Sequence, residues 1–319
     1  MYYNSMVSLQ CKFKNLIFYN PISNASGVFS KERNELLDML HSFSGTFITK
    51  SCTMNPRLGN ERPSYWENDR VSINSMGLPN YGYNYYVDFI KQLHHEQVNK
   101  HCFLSIANIN NDETREILKF IKDKEYIMYP EINVSCPNIK GKEQLGYNYI
   151  ELEKFLNDVD EEYDKPYGLK LPPYFDPVHF VKVAEIIRQF KNIQFITCVN
   201  SVGNVLEIDI ETEKGVIRPK NGLGGFGGSD ILPVALSNVY QFKQLLPEID
   251  IIGCGGIKTG EDVFKHLLVG ATFVQIGTTL NREGLSCIHR ILDELEMVMI
   301  KKGYTCIDDF RGNYNKDII

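Results

Sequence analysis

Residues 251–280 read IIGCGGIKTGEDVFKHLLVGATFVQIGTTL, and this stretch decides the fold. An apolar run over Asp250–Gly253 stops at paired glycines, and Thr259-x-x-Asp262 follows as a capping box that opens a helix. A second apolar run, Thr272–Gly277, ends again on glycine and then threonine. Strand, helix and strand in so short a span is the pattern of a parallel βαβ unit, because parallel neighbours need a crossover of about a dozen residues or more.

The same alternation extends back along the chain. Short runs rich in β-formers at Ile22–Ala25, Thr46–Lys50, Phe103–Asn108, Met128–Asn133, Tyr167–Lys170 and Gln194–Asn200 bring the strands to eight. Between them, Asp176-Pro177 opens a helix with Phe180, Ala184 and Ile187 on one face. The expected fold is α/β, a (β/α)₈ TIM barrel. Three stretches interrupt the alternation: the Asn-, Pro- and Gly-rich residues 51–82, a hairpin in Leu206–Pro219 turning at Glu213-Lys214-Gly215, and the glycine-rich Gly222–Gly228. Each follows a strand end, so extended loops and a small hairpin should lie over the C-terminal face. No internal repeat or interdomain linker is visible, and residues 1–319 are read as a single domain.

Composition narrows the partners. The 34 basic against 40 acidic residues leave a net charge of -6, which lacks the basic excess that binding to nucleic acid or an anionic membrane needs. The N-terminal MYYNSMVSLQCKFKNLIF has no charged head before a long apolar run, and no stretch approaches the roughly 18 apolar residues of a membrane span. A cytoplasmic protein with a small-molecule partner is expected. Cys11, Cys52, Cys102, Cys136, Cys198, Cys254, Cys287 and Cys306 form no CxxC and no Cys/His cluster, so the thiols read as reduced and no metal is expected.

Barrel enzymes collect their chemistry at the C-terminal ends of the strands. In strand order those ends carry Asn24 and Ser26, Lys50, Asn108, Asn133, Lys170, Asn200 and Ser201, Gly255 and Gly256, and Gly277 and Thr278. The glycines before helices can hold a phosphate on free N–H groups, whether it belongs to a cofactor or to a substrate such as an indole or imidazole glycerol phosphate; a purely structural turn is the alternative. Lys50 and Lys170 would be costly to bury without an anionic partner, which a flavin becomes on reduction; otherwise they would extend to solvent. In EINVSCPN (131–138), Cys136 stands in a polar loop where a thiol can act as base or nucleophile, although a lone cysteine is more often inert. With no His or Asp nearby, protease-type catalysis is disfavoured.

Taken in order, SNASGV (23–28), FITKS (47–51), SINSMGLPN (72–80), NVSCPNIKGKEQLGYN (133–148), GLKLPPYFD (168–176), CVNSVGN (198–204), GLGGFGG (222–228), IIGCGGI (251–257) and QIGTT (275–279) resemble the class 1, fumarate-type dihydroorotate dehydrogenases. The resemblance implies a cytosolic homodimer that uses FMN to oxidise dihydroorotate to orotate in pyrimidine (UMP) biosynthesis, with fumarate reduced to succinate. It implies FMN contacts from Ala25, Ser26, Gly27, Lys50, Ser51, Asn133, Lys170, Val199, Gly227, Gly228, Gly255, Gly256, Gly277 and Thr278. It implies a pyrimidine pocket of Lys50, Asn74, Met76, Gly77, Leu78, Asn133, Asn138, Asn200 and Ser201, and a catalytic pair of Cys136, as base, with Lys50.

Residues 55–66, NPRLGNERPSYW, depart from that pattern: Leu58 replaces an acidic residue, and Glu61 and Ser64 replace a proline and an arginine. Two other readings stay open at this point, a flavin barrel acting on another pyrimidine and a non-catalytic barrel that binds a phosphorylated metabolite. Within the family, the missing apolar extension and a cysteine rather than a serine at the base position speak against a quinone-reducing membrane form. An NAD-linked form would need a separate partner subunit.

Overall fold

The computed structural model describes residues 7–135, 143–315 and 317. Eight parallel strands form the barrel: Ile22–Asn24, Phe47–Ile48, Cys102–Phe103 continued by Ser105–Ala107, Glu131–Asn133, Tyr167–Lys170, Ile193–Cys198, Asp250–Cys254 and Phe273–Ile276. Seven share one sheet in the spatial order first, eighth, seventh, sixth, fifth, fourth, third. The second strand pairs in parallel with Cys102–Phe103, and a bridge from Cys52 to Ile106 prolongs that contact.

Between the first and second strands no ladder forms among the described residues. Asn24 closes the gap with its side chain: Nδ2 donates to the Ile48 carbonyl at 3.0 Å and Oδ1 accepts from the Ile48 N–H at 2.8 Å. The amide thus presents the same donor and acceptor as a peptide unit. Just below, the Gly45 N–H donates to the Ile22 carbonyl at 2.8 Å. A Cβ at Gly45 would sit 2.0 Å from the Asn20 carbonyl oxygen, so only glycine allows this approach.

All eight expected strands occur, most of them shorter than their apolar runs. The fourth starts at Glu131 rather than Met128, because Tyr129 takes a left-handed φ of 53° and Pro130 has no N–H for a ladder. The local helix signals hold. Asp176 Oδ1 accepts from the Val178 N–H at 2.9 Å to start Pro177–Arg188, which buries Phe180, Ala184 and Ile187. Thr259 and Asp262 form the reciprocal capping box of Gly260–Leu268.

Over the C-terminal face lies an antiparallel sheet in the order Val202–Leu206, Leu223–Gly227, Ser72–Asn74, Tyr65–Glu67. The expected hairpin is present as Ile208–Asp209 against Lys214–Gly215. Its turn falls at residues 210–213 rather than 213–215, because Asp209 Oδ1 accepts from both the N–H and the hydroxyl of Thr212, at 2.8 and 2.9 Å.

The opposite end is sealed by a hairpin that the sequence reading did not anticipate, Cys11–Phe13 against Leu16–Phe18. It inserts Phe13, fully buried, among Phe18, Phe103, Phe195 and Phe273, with ring centroids within 6.1 Å. Edge-to-face rings add to what their buried area contributes. Phe13→Ala should therefore cost about 3–5 kcal/mol, read as a lower urea midpoint at unchanged slope. Tyr19→Ala, at a side chain 78% exposed on the same segment, should stay within about 0.5 kcal/mol of wild type.

Candidate active site

The strand ends and the overlying sheet enclose a cavity of about 750 Å³. Every nominated binding residue that the structure describes lines it. Barrel strand ends and the turns after them supply Ala25, Ser26, Gly27, Lys50, Ser51, Asn133, Lys170, Val199, Asn200, Ser201, Gly255, Gly256, Gly277 and Thr278, and the overlying sheet with its loops supplies Asn74, Met76, Gly77, Leu78, Gly227 and Gly228. Cys136 and Asn138 lie outside the described residues. Two strand-end asparagines do not line the cavity: Asn24 stitches the barrel seam, and Asn108 Oδ1 accepts from the Thr114 hydroxyl at 2.9 Å.

One wall is a glycine cradle. Gly228, Gly255 and Gly256 have φ of +96°, +124° and +80°. A Cβ at Gly256 would lie 2.3 Å from Leu232 Cα, and one at Gly228 would lie 2.2 Å from the Arg70 carbonyl oxygen, so both positions require glycine. Gly277 precedes the helix Thr278–Glu283, and the Thr278 and Ser72 hydroxyls are 2.9 Å apart. His266 supports the cradle from behind, with Nε2 3.0 Å from the Gly255 carbonyl. Burial holds this imidazole down at about 4, so near neutral pH it is uncharged. A proton on Nε2 then makes the bond and leaves Nδ1 as an unpaired acceptor, which agrees with Nδ1 being buried without a partner.

A second wall carries amides. Asn133 Oδ1 accepts from the Ser135 N–H and hydroxyl at 3.1 and 2.8 Å, and Asn200 Nδ2 donates to Ser135 Oγ at 2.6 Å. These bonds fix the two asparagines relative to each other immediately before position 136. Asn74 Nδ2 donates to the Gly225 carbonyl at 3.0 Å.

Lys170, only 4% exposed, occupies the floor, with Nζ 3.2 Å from Gln275 Oε1 and 3.8 Å from Cys254 Sγ. Burial pushes the Cys254 thiol up, against the pull of the Lys170 charge, so it stays protonated. Lys50, also buried, runs past Gly27, where a Cβ would come within 3.1 Å of Nζ. Sequence reasoning missed Gln275 and Cys254, although a polar glutamine inside the apolar run FVQI was a usable signal.

The sequence profile of the family described as dihydroorotate dehydrogenase matches residues 8–299. The chain belongs to this family. A protein named dihydroorotate dehydrogenase A (fumarate) from Streptococcus equi subsp. equi is 48% identical over 308 residues, 96% of this chain and 98% of the relative. One of the same name from Streptococcus agalactiae is 46% identical over 311 residues, 97% and 99% of the two chains. Among solved structures, the ligand-free DHODH of Eimeria tenella superposes with a TM-score of 0.81 at 20% identity, covering 99% of this chain and 94% of that one. Its complex with ferulenol gives 0.80, with 98% and 90% covered. At that identity the likeness speaks for the fold, a TIM barrel.

The divergent loop of residues 55–66 borders the cavity through Arg62, Pro63 and Ser64. Asn60 ties it down: its N–H donates to the Met76 carbonyl at 2.8 Å and its Nδ2 to the Ser75 carbonyl at 2.9 Å. Glu61 pairs with Arg218, just past the hairpin over the C-terminal face, at 2.5 Å, Ser64 Oγ meets Met76 Sδ at 3.5 Å, and Leu58 is fully exposed.

The buried histidines give a pH dependence of stability. His266 and His101 are both held at about 4 against an ordinary 6.5, by burial. Between those values the unfolded chain takes up protons that the folded chain refuses. Stability is thus full above about pH 6.5 and falls as pH drops toward 4, with a limiting slope of about 1.4 kcal/mol per pH unit for each histidine. Urea midpoints measured from pH 7 to 4 should show this decline, and His266→Gln should make it shallower.

Proposed function

We propose that this chain oxidises (S)-dihydroorotate to orotate in pyrimidine biosynthesis, using FMN as cofactor and fumarate as electron acceptor. The observation that carries the reading is the meeting of a glycine cradle, two buried lysines and an amide wall on one cavity. Family membership and the fumarate-type names of relatives at 46–48% identity support it. The residues fit FMN: Gly228, Gly255, Gly256 and Gly277 line the cavity with backbone that carries no side chain and can meet a phosphate, and Lys170 places a buried positive charge on the floor that would offset negative charge gained by a flavin. Bound FMN would take the hydride from carbon 6 and pass the electron pair to the second substrate.

The protein's part is positioning and charge. In this reading Gly227, Gly228, Gly255, Gly256, Gly277 and Thr278 hold the phosphate, while Ala25, Ser26, Gly27, Ser51 and Val199 border the cofactor. Lys170 stabilises negative charge gained at the ring. Lys50 and the Met76–Leu78 backbone meet the substrate carboxylate; Asn74, Asn133, Asn138, Asn200 and Ser201 match the donors and acceptors of the pyrimidine edge. Cys136 takes the proton from carbon 5. Asn133 and Asn200, both bonded to Ser135, would fix the backbone entering that cysteine. One carboxylate pocket then serves orotate and fumarate in turn, a ping-pong cycle.

A cytoplasmic homodimer belongs to the same proposal; no helix among the described residues is long and apolar enough to cross a membrane. The deciding experiment separates the half-reactions anaerobically: dihydroorotate should bleach the flavin spectrum and fumarate should restore it. Restoration by NAD or a quinone alone would reassign the acceptor, and colourless protein that cannot be loaded with FMN would refute the flavin reading. Cys136→Ala should keep its flavin and bind orotate yet bleach about 10²–10⁴-fold more slowly. Lys170→Ala should slow bleaching on the order of 10²-fold or more while orotate affinity changes little, measured by stopped flow beside an orotate titration.

A further inference from the structure

Beneath the cavity floor the barrel interior is polar where such layers are ordinarily filled by branched apolar side chains. Alternate strands contribute Glu131, Thr197 and Gln275, exposed 0%, 0% and 2%, and Gln275 also borders the cavity. Thr197 Oγ1 donates to Glu131 Oε2 at 2.7 Å, and Gln275 Nε2 approaches the same oxygen at 3.4 Å. Glu131 Oε1 is buried with no hydrogen-bond partner among the described residues. A carboxylate in such a place is costly, and an incompletely bonded one more so, unless a nearby positive charge offsets it.

That charge is Lys170, reached through Gln275. The glutamine amide turns its nitrogen to the carboxylate and its oxygen to Lys170 Nζ, 3.2 Å away. Reversing the amide would set Nε2 against the ammonium and Oε1 against the carboxylate, so the two charges fix its orientation. Resting on the flavin reading above, we propose that Glu131 is the built-in counter-charge of Lys170 and sets the midpoint potential of the bound FMN. Lys170 favours negative charge on the ring. Glu131 opposes it from one layer below and holds the potential lower than Lys170 alone would. This keeps the electron pair transferable to the acceptor after orotate has left.

The test is an anaerobic dithionite titration of the FMN-loaded protein against redox dyes of known potential. Glu131→Gln keeps size and hydrogen bonding but removes the charge, and should favour the reduced flavin by tenfold or more, about 30 mV upward for two electrons. Glu131→Asp keeps the charge and should stay nearer to wild type, although it disturbs packing more. Thr197→Val removes the closest donor to the carboxylate at nearly constant volume; it leaves the counter-charge less compensated and should lower the potential. An unmoved or lowered midpoint in well-folded Glu131→Gln overturns the proposal. So does a larger shift in Glu131→Asp than in Glu131→Gln, which would mark a packing role. If Glu131→Gln does not fold, an unmoved or raised midpoint in Thr197→Val overturns it equally. Wild-type protein that takes up no FMN refutes the flavin reading instead, a result distinct from bound flavin whose potential ignores residue 131.

Discussion

A barrel of short strands must close, and here the closure rests on Asn24. Its amide bonds both ways to the Ile48 peptide where the ladder between the first and second strands is missing. The same Nδ2 donates to the Val28 carbonyl at 2.8 Å, so one side chain also shapes the loop that carries Ala25, Ser26 and Gly27 into the cavity. One residue thus joins the seam to the start of the site, beside the Gly45–Ile22 bond and a bond from the Ser26 hydroxyl to the Thr49 carbonyl at 2.8 Å. A Cβ-bearing residue at Gly45 or a residue without the amide at position 24 would part the strands where Lys50 leaves the barrel.

Closure then gives the strand ends a shared mouth, and charge is managed in two layers there. In the upper layer Lys50 and Lys170 face the cavity, with the glycine cradle offering N–H groups without side chains. In the lower layer Glu131, Thr197 and Gln275 face one another. An apolar lower layer would leave Lys170 stabilised only by whatever occupies the cavity. The polar one lets the barrel carry that lysine whether or not the cavity is filled, at the cost of burying a carboxylate.

What was legible in the sequence is what is encoded locally. The capping box Thr259–Asp262 and the Asp176 cap are written within a few residues, and the apolar strand runs give the barrel because each is followed by its own turn signal. The nominated residues that line the cavity were legible because the family motifs that carry them fall at barrel strand ends and in the overlying sheet with its loops. The N-terminal hairpin was not readable: its strands are three residues long, and the partners of Phe13 lie some 90 to 260 residues further on, across the barrel base. Glu131 and Gln275 were hidden for a related reason, since a polar residue within an apolar run discloses its purpose only when the opposite strand is in place. The roof turn was placed three residues late because Gly215 advertises a turn that the Asp209–Thr212 bonds make first.

The basal hairpin also bears on the order in which the molecule can be completed. Phe13 emerges from the ribosome long before its neighbours Phe195 and Phe273, and Ser8 donates to the carbonyl of Thr305 at 2.7 Å. A segment translated ahead of every barrel strand is therefore among the last to find its seat. Such sequence-distant contacts slow folding, because the intervening chain must be made and ordered before they form. Nascent chains would carry an exposed aromatic plug while all the barrel strands are made, a hydrophobic segment for chaperones to shield until the eighth strand arrives.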